Sequence, residues 1–242
     1  MRSVFNWSGG KDSALCLYHT LQEQQYQVDL LLTTLSGTTN RITMHGVRQD
    51  LLEQQANNLG ITLQQVMLSE SASMDAYNKL MQDTMAPLKV QGFTHAIFGD
   101  INLQDLRQYR EQQLAQLGIQ AAFPLWGRPT DELVREFINL GFKAVVVSIN
   151  ARLLDESFVG RILDDSFLAD LPAGVDPAGE NGEFHTFVFD GPIFKRPVKY
   201  TLGEKVLKTY GAPADADNNC FKKEDKPAYD TSFWFCDLVP TH

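Results

Sequence analysis

The chain has 242 residues, of which 43% are hydrophobic, so it can form a sizeable core in one large or two modest domains. Its formal net charge of −9 argues against a protein that binds nucleic acid through the phosphate backbone, because such proteins need a basic surface. The 3 cysteines match no zinc, iron–sulfur or disulfide spacing, and no apolar run approaches the ~18 residues of a membrane helix. We therefore expect a cytoplasmic protein with no membrane partner.

Strands and helices alternate through the first half of the chain. The predicted strands cover residues 3–7, 28–35, 62–68, 95–99 and 121–127. The predicted helices between them cover residues 12–25, 46–59, 73–90 and 103–117, and glycines follow the last three at Gly60, Gly92 and Gly118. This alternation predicts right-handed crossovers and a mostly parallel, Rossmann-like sheet.

The regular alternation ends in the second half. A helix at 130–140 and a strand at 143–149 are predicted before a segment rich in proline, glycine and acidic residues at 170–182. Two β-like runs follow at 184–189 and 197–207, and the polar tail around 211–226 is predicted to be a loop. We expect an α/β fold, with the parallel sheet in residues 1–127 and a smaller mixed α/β domain for substrate binding in residues 128–242.

The sequence SGGKDS at residues 8–13 lies between the first predicted strand and the first predicted helix. Backbone N–H groups at a helix N terminus favour an anion, glycines allow close approach, and a lysine supplies a positive charge. The pattern predicts a phosphate cradle, although it matches neither the Walker A motif nor G-x-G-x-x-G. A tight turn that merely requires glycine is the alternative. Asp12 is unusual beside a phosphate and is better suited to cap the helix or to hold Mg²⁺.

The SGGKDS stretch resembles the pyrophosphate loop of the N-type ATP pyrophosphatases, a superfamily that splits ATP between the α and β phosphates. Further stretches resemble the diphthine–ammonia ligase family of ATP-binding proteins: HGVRQDLLEQQANNLGI (45–61), FGDINLQDLRQYRE (98–111), PLWG (124–127) and DPAGENGEFHTFVFDGPIF (176–194). The best marker is GENGEFHT at 179–186, and Ala178 departs from the cysteine of many bacterial-type relatives. The resemblance implies an adenine nucleotide alpha hydrolase-like fold.

Several polar residues follow the predicted strand at 95–99. Asp100 comes where ligands of open α/β sheets bind, so it could hold Mg²⁺ or orient substrate, or it could cap the next helix. Arg107 and Arg110 share one helix face and offer guanidinium groups to phosphate or carboxylate, unless that face is only solvated. The resemblance favours a functional role for Arg110 and Glu111.

Glu180, Glu183 and His185 lie on a glycine-rich turn before a predicted strand. Two carboxylates and an imidazole suit a site for an amine, for ammonia or for a metal-bound phosphate, and an acidic surface loop is the alternative. His45 could reach the nucleotide or the substrate, or it could be a capping or packing histidine.

The candidate residues form three groups. The catalytic candidates are Lys11, Asp12, Asp100, Glu180 and Glu183. The ATP-binding candidates are Ser8, Gly9, Gly10, Lys11, Asp12, Ser13, Gly99 and Asp100, with Asp12 also the candidate Mg²⁺ ligand. The substrate-binding candidates are His45, Arg110, Glu111, Asn181 and His185.

The resemblance implies an ATP-dependent amide ligase with ATP and Mg²⁺ as cofactors. A substrate carboxylate would be adenylated, pyrophosphate would leave, and ammonia would displace AMP. The family's named acceptor is the diphthine side chain of a translation elongation factor, which implies a carboxylate on a protein side chain. Which carboxylate holds the metal and which acts as base stays open, as does the quaternary state, with a homodimer among the arrangements considered.

Two other functions remain as alternatives. An RNA-modifying ATP pyrophosphatase is disfavoured by the acidic charge and by the absence of cysteine sets. A non-catalytic nucleotide-binding protein is disfavoured by the intact Asp100, Glu180 and Glu183.

Two expectations concern individual side chains. Lys11 and Asp12 should both face solvent in the empty cleft. Glu183→Gln should preserve packing and nucleotide binding while amide formation falls by ~10²-fold, the scale for losing a general base.

Overall fold

The computed structural model describes residues 1–42, 45–69, 73–210 and 231–241. The first half contains five strands, which are β1 (Arg2–Asn6), β2 (Gln27–Ser36), β3 (Thr62–Leu68), β4 (His95–Ile97) and β5 (Gln120–Ala122). Four helices connect them: α1 (Lys11–Glu23), α2 (Gln49–Leu59), α3 (Met74–Val90) and α4 (Gln104–Ala115).

The five strands form one parallel sheet in the order β3-β2-β1-β4-β5. Successive side chains of β1 point to opposite faces, so Val4 enters one core and Phe5 the other. The core around Phe5 also contains side chains of α1 and α2, and the core around Val4 contains side chains of α3 and α4. The strand order reverses between β1 and β4, and the ends of these two strands are where such sheets bind ligands. The Rossmann-like parallel sheet is thus confirmed.

The second half begins with α5 (Thr130–Asn139) and forms a four-stranded sheet in the order β7-β6-β9-β8. These strands are β6 (Lys143–Asn150), β7 (Phe184–Asp190), β8 (Tyr200–Tyr210) and β9 (Thr231–Pro240), and the paired strands run antiparallel. A 3₁₀ turn at Glu156–Phe158 and the short helix α6 (Asp165–Asp170) lie between β6 and β7.

The structure differs from the predicted elements in several places. β5 ends at Ala122 because Pro124 cannot continue the ladder, and the residues beyond it turn, with Trp126 N donating to Phe123 O. The helix predicted at 46–59 begins only at Gln49, since Gly46 has a φ of 68°. The strand predicted at 197–207 lies at 200–210, and β9 was not predicted at all. The loop predicted at 211–226 lies outside the described residues.

The two sheets share one hydrophobic core. Phe5 and Leu31 of the parallel sheet belong to the same buried cluster as Val146 and Phe187 of the antiparallel sheet. The two halves therefore pack as one body across α1 and α2, and the division at 127/128 stays a prediction. No helix in the described part of the chain is long and apolar enough to cross a membrane.

Candidate active site

The SGGKDS loop joins the end of β1 to the start of α1, and its two glycines are in close contact with other parts of the chain. A Cβ on Gly9, which has a φ of 75°, would lie 2.6 Å from Gln55 Oε1, and one on Gly10 would lie 3.0 Å from His45 Cε1. Gly10 is the N-cap of α1 and carries no side-chain cap. The suggestion that Asp12 caps the helix is therefore wrong, because Asp12 already lies in the first turn.

Three groups from outside the loop hold it in place. The buried Gln55 side chain accepts a hydrogen bond from Trp7 Nε1 at 2.9 Å and donates to Gly9 O at 3.0 Å and Val188 O at 2.6 Å. Val188 N also donates to Gly9 O at 2.9 Å. Thr186 Oγ1 accepts from Lys11 N at 3.0 Å. The second half of the chain thus helps to shape the phosphate loop of the first.

Lys11 is buried, which contradicts the expectation that it faces solvent. Its side chain is 7% exposed, its Nζ lies 2.8 Å from Asp12 Oδ2, and it sits 5.5 Å from the centre of the Phe184 ring. Asp12 is more open, with a side chain that is 34% exposed. A buried lysine beside a helix N terminus gives the loop a fixed positive charge for an anion.

Asp100 follows β4 and pairs with Arg110 of α4. Arg110 Nε lies 2.8 Å from Asp100 Oδ2, and the guanidinium carbon lies 4.3 Å from the centre of the Phe98 ring. Burial raises the pKa of the Asp100 carboxyl, and the Arg110 charge partly offsets this rise. Leu103 occupies the N-cap of α4, so the suggestion that Asp100 caps this helix is wrong.

Arg107 and Glu111 form a separate pair on the same helix. Arg107 Nε lies 2.8 Å from Glu111 Oε1, and its guanidinium carbon lies 4.6 Å from the Trp126 ring centre. Neither residue lines the cavity described below. The structure therefore does not place Glu111 with the other candidates.

The GENGEFHT turn separates its two glutamates. Glu180 Oε1 accepts hydrogen bonds from Ile101 N at 3.3 Å and Asn102 N at 3.2 Å, which directs the side chain to the end of β4. Burial, with a smaller contribution from Asp12, raises the pKa of Glu180 to about 7.

Glu183 is only 3% exposed and is bound inside its own turn. It accepts hydrogen bonds from Asp176 N at 3.2 Å, Asn181 N at 2.9 Å and Asn181 Nδ2 at 3.1 Å. These contacts argue against the expectation that Glu183→Gln preserves packing, because this carboxylate holds the turn. Asn181 uses its side chain in the same contact rather than in the cleft.

His45 and His185 pack against each other, with ring centres 4.7 Å apart and ring planes tilted by 32°. His45 Nδ1 lies 3.2 Å from the carbonyl oxygen of Thr186, which can only accept, so this nitrogen carries the proton. Burial lowers the pKa of His45 to about 4 and that of His185 well below its usual value. Both imidazoles are therefore neutral at physiological pH, and His45 lies against Gly10 of the phosphate loop.

A cavity of about 310 Å³ lies where these elements meet. It brings together eight of the predicted site residues, which are Ser8, Asp12, Ser13, His45, Gly99, Asp100, Arg110 and Glu180. Gly9, Gly10 and Lys11 form the loop behind its wall, and His185 contacts it through His45. Sequence reasoning did not single out Gln55 and Thr186, although both lie inside the stretches 45–61 and 176–194 that it had marked.

The carboxylates of this cavity suit Mg²⁺ held jointly with phosphates. Among the described residues, no group of three or more His, Cys, Asp or Glu side chains could hold a metal ion by itself. Mg²⁺ usually takes one or two carboxylates, waters and substrate phosphates, so such a group is not required. Within the described residues no group donates a well-aligned hydrogen bond to the buried Asp100 Oδ2, although the charge of Arg110 lies 2.8 Å away. Asp12 is partly exposed and also lies in the cavity wall. These two residues fit the ion.

Family models match both halves of the chain. Residues 1–121 match the diphthamide synthase N-terminal domain, and residues 129–212 match the diphthamide synthase C-terminal domain. The first match alone covers half of the chain.

The chain belongs to the diphthamide synthase family.

Relatives of this family member include vertebrate proteins named diphthine–ammonia ligase. The human protein is 31% identical over 116 residues, which are 46% of this chain and 43% of that protein. The bovine protein is 32% identical over 120 residues, covering 47% and 44%. The zebrafish (Danio rerio) protein is 32% identical over 133 residues, covering 51% and 52%. The chain thus spans about half or less of the length of these curated relatives.

Two solved structures align with part of this chain. A predicted subunit of tRNA methyltransferase from Methanocaldococcus jannaschii aligns with a TM-score of 0.42 and 21% identity, covering 61% of this chain and 80% of that one. The U34-tRNA thiolase NcsA from Methanococcus maripaludis, with its [4Fe-4S] cluster, aligns with a TM-score of 0.38 and 16% identity, covering 58% of each chain.

Proposed function

We propose that this member of the diphthamide synthase family is an ATP-dependent amide ligase. The observation that carries the proposal is the cavity at the ends of β1 and β4, where the phosphate loop with its Asp12 meets Asp100 and Glu180. A cavity of about 310 Å³ lies at the lower end of the roughly 300–1,000 Å³ range of small-molecule sites. The names of the vertebrate relatives support the choice of a ligase that uses ammonia.

The first step is adenylation of the acceptor. A carboxylate oxygen of the acceptor attacks the α phosphorus of ATP, and the bond from that phosphorus to the β-phosphate oxygen breaks. Pyrophosphate leaves against the N terminus of α1, where Lys11 and the loop N–H groups stabilise its charge. This step is needed because a carboxylate resists ammonia, whereas an acyl adenylate carries a good leaving group.

Asp12 and Asp100 are the residues that would hold Mg²⁺, which when bound neutralises charge on the phosphates. Asp100 reaches this position from the end of β4, and Arg110 keeps its carboxyl oriented.

The second step is amidation. The nitrogen of ammonia attacks the acyl carbon, the bond from that carbon to the AMP oxygen breaks, and the new amide keeps two hydrogens. Glu180 takes the proton that the nitrogen loses, which requires its ionised form. Its raised pKa of about 7 suits a base at neutral pH. Glu183 has no part in this step, because its oxygens are occupied within the turn.

The test is product analysis with ATP, Mg²⁺, ¹⁵N-ammonium and a panel of carboxylate acceptors that includes peptides. AMP, pyrophosphate and a ¹⁵N-amide are expected in equal amounts, and Glu180→Gln should lower the amide yield by ~10²-fold or more while ATP still binds. Glu111→Gln is the matched control, since this glutamate lies outside the cavity. Formation of ADP, or of AMP without any acyl acceptor consumed, would remove the amide ligase from consideration.

A further inference from the structure

The antiparallel sheet has two edge strands, β7 and β8, which differ in what borders them. The outer side of β7 lies against the phosphate loop, where Val188 N donates to Gly9 O. β8 pairs with β9 on one side, and no described strand pairs with its other side. Residues 204–209 of β8 are all exposed. Within the described part of the chain, β8 is thus an exposed edge strand.

The second part of β8 has few of the features that keep an edge strand from pairing with another protein. Protected edge strands are commonly short, interrupted by proline or bent by a bulge. β8 has 11 residues and no proline. Its register shift lies between Leu202 and Lys205, and every residue from Lys205 to Tyr210 then pairs in sequence with β9. This stretch is therefore a regular template for a further strand.

The side chains of this stretch alternate between the two faces of the sheet. Glu204, Val206 and Lys208 line a cleft of about 700 Å³ beside the ends of β2 and β3. Lys205 lies on the opposite face, where its Nζ donates to Glu156 O at 3.1 Å. Among the described residues, neither Glu204 nor Lys208 takes part in an ion pair. One acidic and one basic side chain on the same face therefore lack a partner of opposite charge there.

A second copy of β8 fits this edge in the antiparallel orientation. A two-fold axis at Val206 places this valine opposite itself and Glu204 opposite the partner subunit's Lys208, and the symmetry repeats that ion pair. Directly opposite side chains of an antiparallel pair lie on one face about 5 Å apart, which is close enough for both ion pairs. On the other face, the aliphatic stem of Lys205 lies opposite Leu207 of the partner subunit.

The neighbouring registers fit less well. An axis at Lys205 or at Lys208 brings two lysines directly opposite each other, which is unfavourable. An axis at Leu207 places Lys208 opposite Val206 of the partner subunit and leaves Glu204 without a basic partner. The axis at Val206 is therefore the register, among these four, in which both charges are paired.

We infer that β8 forms the interface of a symmetric homodimer, in which two copies of this strand pair antiparallel about Val206. Backbone hydrogen bonds between the strands supply the affinity, and the two Glu204–Lys208 pairs fix the register. The antiparallel sheets of the two subunits then continue into each other. The inference does not depend on the proposed ligase function, because no β8 side chain lines the nucleotide cavity of about 310 Å³ at the phosphate loop.

The first test is sedimentation equilibrium of the full chain at low ionic strength, over roughly 1 µM to 1 mM. A monomer–dimer equilibrium is expected. Glu204→Lys and Lys208→Glu should each weaken the dimer at least about tenfold, because each creates two like-charge contacts across the axis. The double variant restores both ion pairs in reversed order and should dimerise within about threefold of the parent.

Lys79→Glu and Asp83→Lys are the matched controls for these charge reversals. The two residues form an exposed ion pair on α3, so the same changes of charge occur away from β8 and should leave the dimer unchanged. Thermal unfolding of each variant checks that it folds. A monomer throughout the concentration range, or a dimer whose stability does not follow the charges of residues 204 and 208, would overturn the inference.

The second test places a cysteine on the axis, in a chain that also carries Cys220→Ser. Val206→Cys should form a disulfide between subunits under mild oxidation, because opposite residues of an antiparallel pair have the Cα spacing of a disulfide. Cys16 and Cys236 are buried and should not interfere. Thr201→Cys is the control, since the two copies of residue 201 would lie about 33 Å apart at ~3.3 Å per residue. Equal disulfide yields from the two variants, or none from Val206→Cys, would overturn the inference.

Discussion

Glu180 and Glu183 are three residues apart on one turn, yet their carboxylates have different surroundings. Glu180 reaches into the nucleotide cavity, where burial beside Asp12 disfavours its charged form. Glu183 is buried and accepts hydrogen bonds from two backbone N–H groups and one side-chain amide. One residue is therefore available for proton transfer, and the other maintains the loop that presents it.

Glu183→Gln should destabilise the protein. The amide keeps one acceptor oxygen but places an NH₂ group against donors, so at least one buried N–H loses its partner at a cost of about 1–3 kcal/mol. Urea unfolding measures the change, and Glu111→Gln on the exposed face of α4 should shift the midpoint little. An unchanged midpoint combined with lost amide formation would instead indicate that Glu183 takes part in the amidation reaction.

Glu180→Gln should stabilise the metal-free protein at high pH. The pKa of Glu180 is about 7 in the folded chain against 4.5 ordinarily, so the folded state holds this proton more tightly than the unfolded state. Its contribution to stability is full below pH 4.5 and is lost as the pH rises through 7. Because the side chain is partly exposed, we expect the variant to gain about 1–2 kcal/mol at pH 8 and little at pH 5.

The measurement is the difference in unfolding free energy between Glu180→Gln and the parent chain across this pH range. Taking the difference removes the opposite contribution of His45, whose lowered pKa reduces stability as the pH falls below its ordinary value. A difference that does not depend on pH would show that Glu180 titrates normally.

The sequence was sufficient to identify the candidate catalytic and binding residues, but not the residues that hold them in position through hydrogen bonds. SGGKDS, Asp100 and Glu180 were recognisable because their residue types match their tasks. Gln55 and Thr186 were not, since their roles depend on contacts with residues that are 133 and 175 positions away in the chain. Glu183 was misjudged for the same reason, because only the folded turn shows which carboxylate is enclosed.

At the level of elements, β7 is an edge strand whose outer side is occupied by the phosphate loop. Val188 N and O both take part in hydrogen bonds on this side, and Thr186 contributes its carbonyl to His45 and its hydroxyl oxygen to Lys11 N. These contacts satisfy backbone groups that an edge strand would otherwise expose.

Thr186→Val should weaken nucleotide binding while the sheet remains intact. Valine has the same shape but cannot accept from Lys11 N, so the first turn of α1 loses a support, and we expect ATP affinity to fall about fivefold to tenfold. Thr186→Ser keeps the hydroxyl and should bind ATP within about twofold of the parent. The measurement is calorimetric affinity for ATP with Mg²⁺, and equal affinity in both variants would contradict a supporting role.

The elements themselves were largely predictable, and the exceptions have identifiable causes. All nine helices and strands predicted in residues 1–127 exist within the described part of the chain. The largest shifts of their ends, three and five residues, occur where Gly46 and Pro124 intervene. β9 was missed because it is defined by its pairing with β6 and β8, which are distant in the sequence. The predicted bounds of β8 were themselves displaced by three residues. Pairing of distant segments leaves little local signal in the sequence.

At the scale of the whole molecule, the parallel and antiparallel sheets should unfold together. They share a buried cluster that contains Phe5, Leu31, Val146 and Phe187, so opening either sheet exposes the core that both depend on. We expect one transition in denaturant, with far-ultraviolet circular dichroism and tryptophan fluorescence giving the same midpoint. Two separated transitions would show that residues 1–127 and 128–242 are independently stable.

The contacts between β7 and the phosphate loop also limit length variation at the start of this strand. Thr186 and Val188 are two residues apart, so their outward backbone groups lie on the same side of β7, next to the phosphate loop. Both residues, like Phe187 between them, are also paired with β6. Inserting or deleting one residue within β7 between Phe184 and Thr186 would require either a new bulge or a rotation of the strand that turns Phe187 towards SGGKDS. Length variation in this stretch should therefore be tolerated in pairs of residues, if at all, whatever residues are used.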